Sequence, residues 1–199
     1  MNLVCLDLEG VLAPEIWVEV AKATGIKELE LTTRDEPDYD KLMKFRLKVL
    51  KDHNLGIDDV QKVISTIKPM DGAKEFLDKL RKKTQFIILS DTFEQFAAPI
   101  MEQLGWPTIF CNSLVIADNG EIVDYKMRCT PSKLSTVKAL QSVGFETICS
   151  GDSYNDVAMI ENSKAGFFFK SSKKIQGEYP HIKPLETYDE LYENIVKAL

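Results

Sequence analysis

A doubly wound, mostly parallel α/β sheet, with a small all-helical cap and a β-hairpin excursion, is the fold class this sequence predicts. Three observations carry it. Four short runs, LVCL (3–6), FIIL (86–89), TIC (147–149) and GFFF (166–169), are rich in apolar residues throughout, as strands buried on both faces are. Helical patterns separate them: Ala73, Phe76, Leu77 and Leu80, then Phe96, Ile100, Met101 and Leu104, then Leu134, Val137 and Leu140. Polar residues follow three of the runs at once: Asp7, Ser90, and Ser150-Gly151-Asp152. Ligands of such sheets bind beyond the carboxyl ends of the strands, so these residues can converge on one site.

The first strand leads into VCLDLEGVLA (4–13), which places Asp7 and Glu9 directly after an apolar stretch. Ionised carboxylates near a core are costly and repel each other, so something must compensate them. Residues i and i+2 of an extended strand point to the same side, so Asp7 and Glu9 face one pocket if the chain stays extended that far. Gly10 then lets the backbone turn sharply or approach a ligand. One carboxylate could attack phosphorus while the other passes a proton. A solvated surface turn is the competing reading.

Between Pro14 and Pro69 the pattern is helical throughout, with Ile57, Val60, Ile64 and Ile67 at helical spacing and no strand candidate. This reads as a helical cap over 14–69 inserted into an α/β core of 1–13 and 70–199. Within it, DYDKLMKFRLKVLK (38–51) groups Leu42, Met43, Phe45, Val49 and Leu50 on one arc, opposite Lys41, Lys44, Lys48 and Lys51. Arg46 falls inside the apolar arc, where a guanidinium needs an anion: a substrate carboxylate or an intramolecular salt bridge. Glu15 projects beside Glu19 and Lys22, as an ordinary solvated face does.

Residues 108–127 alternate around Asp118-Asn119-Gly120, a hairpin signal. GDSYNDVAM (151–159) places Asp152 and Asp156 four apart, one turn if the segment is helical. Capping a helix start could explain one of these acids. Flanking Asn155 and set opposite the Asp7 pair, they make a hard, oxygen-rich site suited to Mg²⁺, which would also relieve the repulsion. The closing TYDELYENIVKAL reads as an amphipathic helix.

Composition narrows the partners. The 199 residues are 44% hydrophobic and 28% charged, and 31 acids against 25 bases give a net charge of −6, so no basic footprint for nucleic acid or an anionic membrane exists. No apolar run approaches membrane-spanning length, and the four cysteines form no CxxC, so buried reduced thiols and a cytoplasmic location are expected. Only His53 and His181 are present, both in polar contexts, which argues against a histidine metal site or a Ser-His-Asp mechanism.

In order, DLEGV (7–11), ILSDT (88–92), Lys133 and GDSYND (151–156) resemble the four motifs of the haloacid dehalogenase-like phosphotransferases. The resemblance implies that Asp7 is the nucleophile, becoming a phosphoaspartate, and Glu9 the general acid and base. It implies Mg²⁺ held by the Asp7 carboxylate, the Glu9 carbonyl and Asp152, with Asp156 supporting. Ser90 and Lys133 would hold phosphate oxygens, with Asn155 among the substrate-binding residues. Bland alternatives are a strand-end cap for Ser90 and a solvated helix-start lysine for Lys133. A phospho-accepting receiver domain, which also uses an aspartate and Mg²⁺, lacks a helical insertion such as the one between Pro14 and Pro69.

Within this family, phosphoserine phosphatases carry a glutamate at the start of the cap and a cap arginine that bind the amino acid part of the substrate, and Glu15 and Arg46 match those positions. The chain further resembles a bacterial group of phosphoserine phosphatase-like enzymes that are also phosphoserine:homoserine phosphotransferases, through CLDLEGV, PEIW, TTRDEPDYDKLMKFRL, ILSDTF and GDSYND. Two departures from the ordinary pattern belong to that group: Glu9 replaces the second aspartate of Asp-x-Asp, and Asp91 follows Ser90 where glycine is usual. Asp91 beside a phosphate is repulsive unless it pairs with a substrate ammonium or hydroxyl. The expected activity is Mg²⁺-dependent transfer of phosphate from O-phosphoserine to homoserine or water. Those small molecules are the expected partners, and a homodimer is left open.

Overall fold

In a computed structural model, residues 1–32, 35–36 and 38–199 are described, apart from the side chain of Ser132. Thr33, Arg34 and Pro37, which belong to the TTRDEPDYDKLMKFRL stretch, lie outside the described residues. The chain runs β1 (Asn2–Leu6), α1 (Ile16–Thr24), a 3₁₀ turn (Lys27–Glu30), α2 (Tyr39–Asp52), α3 (Ile57–Ile64), α4 (Ala73–Arg81) and β2 (Gln85–Phe93). It continues with α5 (Glu94–Gln103), β3 (Ile109–Ile116), β4 (Ile122–Lys126), α6 (Ser132–Ser142) and β5 (Glu146–Gly151). The last third is α7 (Tyr154–Glu161), β6 (Ala165–Phe169), α8 (Lys173–Glu178), β7 (Lys183–Leu185) and α9 (Tyr188–Ala198).

The strands form one sheet in the order β4-β3-β2-β1-β5-β6-β7. Every neighbouring pair is parallel except the β3–β4 hairpin. The doubly wound α/β expectation therefore holds. The apolar runs are buried on both faces because alternate residues serve opposite layers. Val4, Leu6, Ile88, Phe167 and Phe169 join the larger core cluster, which runs on into the helical segment through Trp17, Met43, Leu50 and Val60. Leu3, Cys5, Ile87, Leu89, Cys149 and Phe168 pack on the other side. β1 lies at the centre between β2 and β5, which places Asp7 at the middle of the carboxyl edge.

Three features differ from the sequence reading. β2 runs past FIIL to Phe93 with an irregular register after Leu89, carrying Ser90 and Asp91 within the strand. β7 is only Lys183–Leu185 and holds Pro184; a proline is tolerated because the strand is at the sheet edge. On α2 the buried arc takes in Leu47 and Arg46, while Phe45 lies on its flank and is 38% exposed.

The helical segment leans on the hairpin. The Ile57 N–H donates to the Gly120 carbonyl (2.9 Å), the Tyr125 hydroxyl to Asp40 (2.8 Å), and Lys51 pairs with Glu121 (2.8 Å). Its return to the sheet is tied by the Met70 N–H on the Leu12 carbonyl (2.9 Å).

Candidate active site

Asp7 continues the β1 ladder by one residue, its N–H donating to the Ser150 carbonyl (3.0 Å). Its Oδ1 accepts the Leu8 N–H (2.7 Å) and lies 2.8 Å from Lys133 Nζ. Lys133, at the start of α6, is buried rather than solvated and stands 2.7 Å from Asp156 Oδ1. Asp156 Oδ2 accepts the N–H groups of Asp152 (3.0 Å) and Ser153 (3.1 Å). Asp156 is thus the N-terminal cap acid of α7, in a capping box with Ser153, whereas Asp152 sits ahead of the helix. The two are not successive residues of one helical face; the β5–α7 turn brings their carboxylates together.

Carboxylate oxygens of Asp7, Asp152 and Asp156 lie within 4.8 Å of one another. Burial pushes the Asp7 carboxyl well above the usual carboxylate range; the charges of Asp156 and then Asp152 add to the push, against the pull of Lys133. Burial works against the Lys133 ammonium, but Asp156, Asp7 and Asp91 outweigh it and hold the lysine charged. Three acids around one lysine leave the cluster short of positive charge. Asp156 already accepts three donors, and Asp7 and Asp152 supply the remaining carboxylates. That donor set fits Mg²⁺, which takes few protein carboxylates and keeps other oxygen ligands. Two glycines let these carboxylates in: a Cβ on Gly10 (φ +78°) would run into the Asp152 carboxylate, and one on Gly151 into Asp156.

Glu9 does not follow Asp7 along an extended strand. β1 ends at Leu6, and the chain then turns, with the Leu12 and Ala13 N–H groups both donating to the Leu8 carbonyl (2.8 and 2.9 Å). The turn aims Glu9 at the start of α1, where its Oε2 accepts the Ile16 N–H (2.9 Å). Burial first, and then the neighbouring Glu15 carboxylate, push the Glu9 carboxyl up to about 8, while the Ile16 N–H and Arg46 pull it down. Glu15 is exposed, precedes α1 without capping it, and lies close enough for its charge to act on Glu9.

Arg46 is buried, and among the described residues it forms no ion pair; the intramolecular salt bridge considered above is not what holds it. One Nη donates to the Leu31 carbonyl (2.7 Å), the other lies 3.8 Å from Met43 Sδ, and the guanidinium carbon stands 4.7 Å from the centre of the Trp17 ring. Its Nε is buried without a partner. Burial lowers the guanidinium to about 10, with the Tyr39, Glu9 and Glu15 charges acting in the opposite direction.

Ser90 is buried on β2, its Oγ accepting the Thr92 N–H (3.2 Å). The next residue, Asp91, accepts Asn155 Nδ2 on Oδ2 (3.0 Å), while Ser153 Oγ donates to Asn155 Oδ1 (2.6 Å). Two residues absent from the sequence reading hold this corner. The Asp91 carbonyl accepts Asn112 Nδ2 (2.9 Å) and the Tyr39 hydroxyl (3.3 Å). Burial, and then the Asp91 charge, raise the Tyr39 hydroxyl well above its ordinary value. Asn112 is a buried polar residue within a strand, the one signal that could have singled it out.

Residues 1–164 match the haloacid dehalogenase-like hydrolase family, and the chain belongs to it. Over 198 residues it is 46% identical to phosphoserine phosphatase ThrH of Pseudomonas aeruginosa, covering 100% of this chain and 97% of the relative. It is also 46% identical to a phosphoserine phosphatase of Pseudomonas syringae pv. tomato, covering 100% of this chain and 84% of that one. Among solved structures, a substrate-bound phosphoserine phosphatase complex superposes with a TM-score of 0.76 over 100% of this chain and 98% of that one, at 23% identity. A phospho-aspartyl intermediate analogue of phosphoserine phosphatase superposes at 0.77 over 97% and 98%, also at 23% identity. These two likenesses establish the shared fold.

Proposed function

We propose that the protein is a Mg²⁺-dependent phosphotransferase that takes phosphate from O-phosphoserine onto Asp7 and passes it to homoserine or water. The observation that carries the substrate is Arg46: a buried guanidinium with an unpartnered Nε, which a substrate carboxylate would satisfy. The 46% identity to phosphoserine phosphatases of two pseudomonads supports the same reading.

In the first half-reaction an Asp7 carboxylate oxygen bonds to phosphorus and the bond to the serine oxygen breaks. Glu9, raised to about 8, carries a proton near neutral pH and gives it to the departing oxygen. In the second, the hydroxyl of water or homoserine attacks the phosphoaspartate and Glu9 recovers the proton, leaving Asp7 free. Lys133, charged and 2.8 Å from Asp7, and the Ser90 hydroxyl hold the phosphoryl oxygens. Mg²⁺, held by Asp7, the Glu9 carbonyl and Asp152 with Asp156 in support, would keep Asp7 ionised and neutralise phosphoryl charge. Asp91, steadied by Asn155, and Glu15 are assigned to the substrate ammonium or the acceptor hydroxyl. Residues 14–69 act as the cap that selects the substrate over a core of 1–13 and 70–199, and the enzyme works in the cytoplasm.

The test is incubation with Mg²⁺ and phosphoserine, with and without homoserine, following phosphate and phosphohomoserine. Phosphohomoserine formation supports the transferase. Phosphate release alone leaves a plain phosphoserine phosphatase, and no turnover of phosphoserine refutes the substrate.

A further inference from the structure

Trp17 lies on α1, one residue past the Ile16 N–H that Glu9 accepts, and is buried. An indole inside an apolar cluster is ordinarily packing, and its edge-on contact with Phe96 (centroids 5.2 Å apart) is of that kind. Its face is used differently. The Arg46 guanidinium stands 4.7 Å above the ring centre, within the range in which a cation is attracted to an aromatic face. Arg46 has few other restraints: one hydrogen bond to the Leu31 carbonyl, a contact with the Met43 sulfur, and a buried Nε with no partner. An unrestrained arginine side chain has several rotatable bonds to fix when it captures a ligand, and each costs affinity. A flat platform lowers that cost without using any of the guanidinium N–H donors.

We propose that Trp17 is a positioning residue: its indole face holds the Arg46 guanidinium ready for the carboxylate of the substrate. This rests on the reading that Arg46 binds that carboxylate. It assigns a use to a tryptophan that the catalytic steps leave idle.

The test compares L-phosphoserine with p-nitrophenyl phosphate, an aryl phosphate lacking a carboxylate, in Trp17→Leu, Trp17→Phe and Arg46→Ala. Trp17→Leu is expected to raise the KM for phosphoserine about tenfold, with kcat within about twofold and the aryl phosphate KM unchanged. Trp17→Phe, which keeps an aromatic face, should raise the phosphoserine KM only about threefold. Equal rises for both substrates, or a fall in kcat alone, would make Trp17 a packing residue and overturn the inference. If Trp17→Leu does not fold, the phenylalanine variant decides by the same criterion. Arg46→Ala separates the two readings. A selective loss there with unselective Trp17 variants overturns the platform alone, and an unselective Arg46→Ala overturns the carboxylate site and the platform together.

Discussion

Lys133→Met removes the only basic group that contacts Asp7 and Asp156 among the described residues, while keeping most of the side-chain volume. Lys133 is 3% exposed and Asp156 fully buried, so water cannot replace the lost charge. Breaking a buried pair by deleting one partner costs about 3–5 kcal/mol, because the other charge is left uncompensated. For a chain of this size each kcal/mol lowers Tm by roughly 2–4 °C, so a fall of about 6–20 °C is expected without metal. Mg²⁺ should then stabilise the variant more than the parent, since a cation entering the three-acid cluster meets no competing ammonium. Turnover of phosphoserine should fall by about 10²–10³, because Lys133 is the proposed donor to the phosphoryl oxygens. Calorimetry with and without Mg²⁺, alongside phosphate release, measures all three. A Tm within about 2 °C of the parent, or an equal Mg²⁺ gain in both proteins, would refute the claim that Lys133 is the compensating charge of a buried acid cluster.

Other substitutions probe the rest of the site. Asp7→Asn should abolish phosphoserine turnover, and retained activity in a phosphate-release assay would remove it as nucleophile. Arg46→Ala should raise the phosphoserine KM by roughly 30-fold or more while sparing p-nitrophenyl phosphate. Gly10→Ala and Gly120→Ala both place a side chain at positive φ, which costs about 1–2 kcal/mol in denaturant unfolding, and Gly10→Ala should cost more because its Cβ also runs into the Asp152 carboxylate. Only Gly10→Ala, whose Cβ meets Asp152, should also lose activity; Gly120 has open space around it. Asn112→Ala should cost about 2–3 kcal/mol, because the amide joins the Asp91 carbonyl to the Arg128 N–H (3.0 Å) from a buried position.

Legibility followed pattern length. β1, β2, β5 and β6 could be read because strands buried on both faces leave unbroken apolar runs, and the hairpin because alternation surrounds a Asp118-Asn119-Gly120 turn. β7 and α8 could not: three residues containing a proline and a six-residue helix carry too little periodicity. Arg46 was visible because a charge inside an apolar arc violates binary patterning. Its salt-bridge alternative could not be dismissed from sequence, since partners in space leave no trace in spacing. Tyr39 carries no such signal and Asn112 only that of a polar residue within a strand, and the approach of β2, β3 and α2 at the Asp91 carbonyl gives them a task.

The motif DLEG shows how far spacing alone can mislead. Two acids at i and i+2 suggest one shared pocket on an extended strand, yet the turn at residues 8–13 separates their surroundings. Asp7 answers to Lys133, Asp156 and Asp152, all from the sheet's carboxyl edge, whereas Glu9 answers to Ile16, Glu15 and Arg46, all from the helical insertion. Asp7, the proposed nucleophile, is therefore held by the core, and Glu9, the proposed proton carrier, by the first turn of the segment that also holds the arginine. An aspartate at position 9 would be one methylene too short to keep the 2.9 Å contact with the Ile16 N–H without moving α1. The longer acid ties Glu9, the proposed proton carrier, to the position of α1, and α1 carries Trp17 beneath Arg46. In the proposed mechanism, substrate recognition and acid–base chemistry thus share one helix. Displacing α1 should disturb both together while leaving the Asp7–Lys133–Asp156 cluster in place.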